Sequence, residues 1–171
     1  GQYDQLARDI RTAFNAKCFN VASGQYATGS QCANAMALVM DLAESTNRPA
    51  ILEGVVRDVR ARGDALTAGD VGYRYLLRAL ADGGRSDVIF DMNNQSEKPG
   101  YGLQLRRGAT SLTEAWDAGR ASSQNHFMLG HIMEWFYNDL AGIGFDPSGT
   151  RLKLIAVHPT PPGAVPLGRG P

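Results

Sequence analysis

The chain has 171 residues, about one domain, and at that length roughly two-thirds of the unfolded surface can be buried in a single core. Its 17 basic and 17 acidic residues balance to zero net charge, which removes the overall field that draws a protein to nucleic acid or acidic lipid. Apolar residues make up 43% and no run of ~18 of them exists to span a membrane, so the composition is that of a globular protein suited to a small neutral or polar ligand.

Residues 2 to 16 place Tyr3, Leu6, Ile10, Ala13 and Phe14 at steps of three and four, with Asp4, Arg8, Asp9 and Arg11 between them, which predicts an amphipathic helix. The opening GQYDQLARD has no basic segment followed by an apolar one, so no signal peptide is expected. Either the protein is cytosolic or the chain begins downstream of its own start; periplasmic, extracellular and cytoplasmic locations all stay open.

Residues 20 to 29 have loop composition, and Ser30 is placed to cap a second helix over about 30 to 43. That helix is apolar on nearly every side, from Cys32 through Ala35, Leu38 and Leu42, as a helix buried all round would be. Cys18 and Cys32 are too few for a disulfide framework and lack the CxxC spacing of a zinc site; Cys32 reads as a small buried hydrophobe. Thr46 or Asn47 caps a third helix with Pro49 in its first turn and a stripe of Ile51, Leu52, Val55, Val56 and Val59, ending at Gly63. A fourth runs from about Ala68 to Ala81 with Val71, Tyr75, Leu76, Ala79 and Leu80 inward, and Gly83-Gly84 stops it. A short fifth covers Asp87 to Asn94, and Pro99-Gly100 closes it.

The stretch Gly100 to Ile143 concentrates the aromatics, both tryptophans and two of the three histidines. Its last part, from Ser123 to Leu140, predicts a sixth helix, with Phe127, His131 and Trp135 on one face and Met128, Ile132 and Phe136 on another. RLKLIAV at 151 to 157 alternates and is β-rich, a strand for which the sequence offers no partner. The tail TPPGAVPLGRGP is Pro- and Gly-rich and predicts disorder over 159–171. Outer helices packed around inner ones give this pattern, either as a superhelix or as an (α/α) toroid, and no residue-level repeat of a solenoid is visible.

Glu114, in GATSLTEAWD, is the carboxylate that stands out. An apolar ring beside a carboxyl favours its protonated form by desolvation, and sugar rings stack on tryptophan faces, which makes Glu114 beside Trp116 a candidate for carbohydrate chemistry. Equally, Thr113 can cap a helical turn whose positive end Glu114 favours, and the spacing does not separate the two. Asn125 and His126 open the sixth helix, and His131 has the setting of a hydrogen-bonded core histidine. The two histidines are offset by too much for a helical metal pair, so no metal is assigned and no cofactor is implied. Asp70 stands between Gly69 and Gly72 at a helix start, where it complements the dipole or contacts a polar ligand. Tyr101, after Pro99-Gly100, can present its ring and hydroxyl to a cleft; GYGLQL is not a phosphate loop, since it lacks the lysine and the preceding strand.

With these residues in place, the chain resembles the later part of the catalytic domain of the bacterial α-L-rhamnosidases, glycoside hydrolase family 78. The features that match, in order, are Tyr26 with the GSQ of 29 to 31, LTAGDVGYRYLLRAL, PGYGLQLRRGATSLTEAWD, NHFMLGHIMEWFYNDLAGI and the strand beginning RLKLIAV. The resemblance implies an all-α fold, part of an (α/α)6 toroid, followed by a single β-strand belonging to a C-terminal β-sandwich. Residues 1–145 are then the C-terminal half of the barrel, 146–158 the first strand of the next domain, and 159–171 a tail. It further implies inverting hydrolysis of terminal α-L-rhamnosides or a related deoxy-sugar, with an acid and a base ~6.5–9.5 Å apart. Glu114 takes the place of the general base, His126 that of a contact to the sugar hydroxyls and Trp116 that of part of the pocket wall, with Asn125, Tyr101 and Asp70 as further substrate contacts.

Two positions depart from the family's pattern: Thr113 stands where a tryptophan precedes the base, and LTAGDV replaces a TTGF-like run. The family's general acid lies upstream of anything in this chain. The partners expected are therefore a rhamnose-containing oligosaccharide or glycoside, and the remainder of the polypeptide, or another chain, completing the barrel and covering apolar surface that half a toroid would expose. Two other classes stay open: a polysaccharide lyase using Tyr101 and His126 for proton abstraction, and a non-catalytic carbohydrate-binding or interaction module.

Overall fold

The computed structural model describes residues 1–119, 121–145 and 155–163. Helix α1, Gln2–Cys18, carries the expected apolar stripe, but Tyr3, Leu6 and Ile10 on it are exposed. Only its C-terminal half is docked: the Arg11 guanidinium donates to the Ala43 carbonyl at 2.9 Å, the Asn15 amide donates to that of Leu42 at 2.8 Å, and Phe14 stacks on Tyr26 with ring centroids 5.5 Å apart.

The expected loop after α1 contains a two-residue hairpin, β1 (Phe19–Asn20) against β2 (Gln25–Tyr26). Its anchor is Tyr26, fully buried, whose backbone N–H donates to the Asn34 side-chain oxygen at 2.9 Å. Tyrosine at a turn had no periodic neighbours to mark it as core.

Helix α2 spans Gln31–Val39, and the Ser30 hydroxyl caps it by accepting the Ala33 N–H at 3.1 Å. No residue of α2 is exposed, as its all-round apolar sequence requires, although Cys32 is half-buried rather than sealed. Helix α3, Arg48–Ala61, has Pro49 in its first turn and buries Ile51, Val55, Val56 and Val59. Helix α4, Asp70–Asp82, packs most extensively on α2 and also meets α3 and α5, Ser86–Asn93. The approach of α4 to α2 depends on Gly72, where a Cβ would come within 2.6 Å of the Cys32 sulfur. The inward face of α4 is Tyr73, Leu76, Leu77, Ala79 and Leu80; Val71, expected inside, is exposed, because Tyr73 and Gly72 set the phase of the first turn against α2.

A six-residue helix, α6 (Tyr101–Arg106), was not marked by the sequence: its Gln104 is buried and its Leu105 exposed, the reverse of what polarity predicts. The sixth predicted helix starts later than expected and is composite. It begins as a 3-10 turn at Phe127–His131, continues as α7 (Ile132–Trp135) and closes as a π turn at Phe136–Leu140. The buried residues are therefore Leu129, Ile132 and Trp135, at steps of three, while Phe127 and Phe136 from the two expected faces are exposed.

This segment lies along α4 through a ladder of polar side chains. Asp70, Arg74 and Arg78, each one turn further along α4, meet His126 at 3.4 Å, Glu134 at 3.1 Å and Asp139 at 2.7 Å. Arg78 engages Asp139 with both terminal nitrogens.

The expected strand differs from the structure in one respect. Ile155–Val157 forms a strand, β4, and it has a partner within the chain: β3, Ile143–Phe145, antiparallel with Ile143 opposite Val157. Three residues were too few to read as a strand from sequence. The return is set at Gly142, which has φ +67° and where a Cβ would sit about 2 Å from the backbone of His158. Beyond β4, Thr160 donates its hydroxyl to the Asp139 carbonyl at 2.6 Å. The rest of the expected strand, 151–154, and the tail over 164–171 lie outside the described residues. Among the described residues no helix is long and apolar enough to cross a membrane.

Candidate functional site

The site is built where α6, the irregular segment 107–126 and the first turn of α4 meet. No helix lies between Arg106 and Phe127 among the described residues, so Thr113 does not cap one. The segment instead doubles back on itself. Glu114 N–H donates to the Ser123 carbonyl at 3.0 Å and His126 N–H to that of Leu112 at 2.8 Å, a two-rung ladder that sets the two flanks side by side.

Glu114 projects from one flank with an exposed carboxylate, and one of its oxygens accepts the Ser123 N–H at 3.1 Å. Its neighbours point the other way: Thr113 is buried at 3% exposure and Trp116 at 6%. The backbone at 113 to 115 is held from beneath by Gln104, whose amide donates to the Thr113 hydroxyl at 2.6 Å, while that hydroxyl donates to the Ala115 carbonyl at 2.7 Å.

Trp116 is the centre of an aromatic cluster. Its ring meets Tyr73 at 4.9 Å and Tyr101 at 5.2 Å, both edge to face, and its indole N–H donates to the Ala68 carbonyl at 2.8 Å. Tyr101 donates its hydroxyl to the Leu129 carbonyl, and burial raises its pKa to about 12. Burial raises that of Tyr73 well above the ordinary value, and its hydroxyl donates to the Asn93 side-chain oxygen at 3.1 Å. Neither phenol is placed to ionise.

On the other flank, Asn125 is exposed and His126 half-buried, with its Nε2 facing Asp70 at 3.4 Å but not aligned as a hydrogen bond. Asp70, the first residue of α4, accepts the Val71 N–H at 2.9 Å. His131, one turn on, is held below the usual histidine range by burial and then by the Arg74 guanidinium, against the opposing pull of Glu134 and Asp70. A cleft of about 450 Å³ lies against the loop, lined by Gln104, Arg107, Thr113, Trp116, Gly119 and Gln124 among others, a size within the range of small-molecule sites. Among the described residues no three His, Cys, Asp or Glu side chains group as a metal site.

All six residues singled out from the sequence thus gather at one junction. Glu114, Asn125 and Asp70 have solvent access, His126 is half-buried with its Nε2 sealed, and Trp116 and Tyr101 pack behind them. Sequence reasoning missed Gln104, Ser123 and Tyr73. A glutamine between two leucines in GLQL is the one trace that Gln104 left.

Comparison with known proteins shows the family and the fold. Residues 1–140 match the family described as the bacterial alpha-L-rhamnosidase 6 hairpin glycosidase domain. An α-L-rhamnosidase of Streptomyces avermitilis is 28% identical over 98% of this chain and 17% of its own length. A crystal structure of the Streptomyces avermitilis enzyme complexed with L-rhamnose superposes with a TM-score of 0.84, covering 94% of this chain and 16% of that one at 28% identity. An α-L-rhamnosidase structure from Dictyoglumus thermophilum gives a TM-score of 0.76 at 31% identity, over 84% of this chain and 17% of that one. The chain therefore spans about a sixth of the length of these relatives. Their common fold makes the helical body described above part of an (α/α) six-hairpin toroid.

Proposed function

Because the chain belongs to the bacterial α-L-rhamnosidase six-hairpin glycosidase family, we propose that it forms one wall of the active site of a glycosidase that hydrolyses terminal α-L-rhamnosides or a related deoxy-sugar. Glu114 is the general base. The observation that carries this assignment is its setting: an exposed carboxylate next to the buried Thr113 and two residues before the buried Trp116, oriented by the Ser123 N–H and seated on the same ladder as His126. A carboxylate so held accepts a proton from water as the water attacks the anomeric carbon, and the reaction inverts there while a second carboxylic acid protonates the leaving oxygen. That acid comes from outside these residues.

His126, Asn125 and Asp70 contact the sugar hydroxyls, and Trp116 with Tyr101 forms the support behind them. The exposed stripe of Tyr3, Leu6 and Ile10 packs against the remainder of the barrel, supplied by the same polypeptide or another chain. Residues 1–145 are the C-terminal half of that barrel and the strand after it leads into a β domain. The commitment of the Tyr101 hydroxyl to the Leu129 carbonyl speaks against a lyase that would need it as a base.

The test is hydrolysis of an aryl α-L-rhamnoside by the full-length protein, with NMR of the first product. β-L-rhamnose should appear first, and Glu114→Gln should lower kcat about 10²–10⁴-fold while L-rhamnose still binds. Turnover unchanged in Glu114→Gln would remove the assignment.

A further inference from the structure

Thr113 stands immediately before Glu114 in the chain. The structure gives that threonine a specific task. It is buried at 3% exposure, its hydroxyl donates to the Ala115 carbonyl at 2.7 Å, and the same oxygen accepts from the Gln104 amide at 2.6 Å. Both of its hydrogen-bonding directions are thereby used, and the two bonds bracket Glu114 in the chain.

Gln104 is itself buried at 5% exposure on α6, with the same amide nitrogen 3.5 Å from the Ala115 carbonyl. That pair of contacts fixes the orientation of its side chain, since the amide oxygen in the same place would face a carbonyl with no proton between them. A buried polar group with its partners supplied is rigid, and rigidity is what a residue that must hold a carboxylate in place needs. On the opposite side the Glu114 backbone and carboxylate both bond to Ser123. Glu114 is therefore held from two directions, by Ser123 on one side and by the Gln104 and Thr113 pair on the other.

We propose that Gln104 is a positioning residue for Glu114, acting through the Thr113 hydroxyl as a polar clamp on the peptide units that flank the carboxylate. The proposal rests on the reading of Glu114 as general base. Removing the clamp lets the 113–115 peptide units rotate, which moves the carboxylate away from the attacking water without touching the groups that bind the sugar. The loss then falls on the chemical step and not on substrate affinity.

The experiment compares Thr113→Val, Thr113→Ser, Gln104→Leu and Glu114→Gln in the full-length protein, on an aryl α-L-rhamnoside, with kcat normalised to folded enzyme. Thr113→Val, equal in shape but without the hydroxyl, should lower kcat about 10²-fold, the scale of a 1 Å misplacement, with KM within about twofold. Gln104→Leu should fall in the same direction, and Thr113→Ser should restore most of the rate. A purely structural role would lower the yield of folded protein and leave the normalised kcat and the serine rescue without effect. A folded Thr113→Val with wild-type kcat, or a Thr113→Val that fails to fold while Thr113→Ser folds, overturns the clamp alone. Wild-type turnover in Glu114→Gln overturns the functional reading and the clamp with it.

Discussion

The indole nitrogen of Trp116 donates to the backbone carbonyl of Ala68 at 2.8 Å, bonding residues 48 positions apart and tying the loop that carries Glu114 to the start of α4. Ala68 precedes Asp70 by two residues, so the bond links the two halves of the site. Trp116→Phe keeps the ring but strands the carbonyl, and should cost about 1–3 kcal/mol in urea unfolding. Trp116→Ala, which also empties the aromatic cluster, should cost about 3–5 kcal/mol.

The Arg78 and Asp139 pair is the most sheltered ion pair among the described residues, with side chains 26% and 17% exposed. Asp139→Asn keeps the shape and one hydrogen bond but removes the charge from a bidentate contact. A destabilisation of about 1–3 kcal/mol is expected, little changed by 0.5 M salt because the pair is partly out of water, whereas the exposed Arg74 and Glu134 pair should show almost no effect when Glu134 is changed to Gln. Equal effects at the two positions would contradict this ordering.

His131 sets a pH dependence whose sign follows from its environment. Burial, then Arg74, holds the folded-state value below the ordinary 6.5, and its Nδ1 is buried without a partner. Below about pH 6.5 the unfolded chain binds the proton that the folded protein resists, so stability rises with pH in that window and is lost as pH falls from 6.5 through the lowered value. His131→Gln should flatten the chemical-denaturation profile between pH 7 and pH 5. A wild-type profile already flat there would show that the imidazole is not shielded.

Gly142 lies at φ +67° with the His158 backbone where a Cβ would be. Gly142→Ala meets both obstacles and should open the pairing of β3 with β4, for about 1–2 kcal/mol of left-handed strain plus the lost contacts. Amide exchange read at Val157 and His158 should rise by at least tenfold, while α2 and α3 stay protected.

How much of this was legible in the sequence follows from which signals are local. Helices α2, α3 and α4 were readable because their apolar residues recur at helical period and Ser30, Pro49 and Gly83 mark their ends. The family resemblance led to Glu114 and His126 through contiguous motifs. The phase of α4 at Val71 was not legible, since it depends on how closely Gly72 lets α2 approach. The 127–140 segment defeated a single period because it uses three helical pitches in turn. Gln104 escaped because its burial is decided by Thr113, nine residues away, across a segment with no regular structure.

The ladder along α4 has a consequence for how this part of the barrel tolerates change. Asp70, Arg74 and Arg78 are equally spaced on a regular helix, whereas His126, Glu134 and Asp139 are eight and five residues apart on a segment that shifts pitch. The straight helix thus works as a ruler, and the irregular one is indexed to it at three marks. A residue inserted or deleted between His126 and Asp139 would put at least one mark out of step, so this segment should accept substitutions at its exposed positions Phe127, Met133 and Tyr137 far more readily than any change in length.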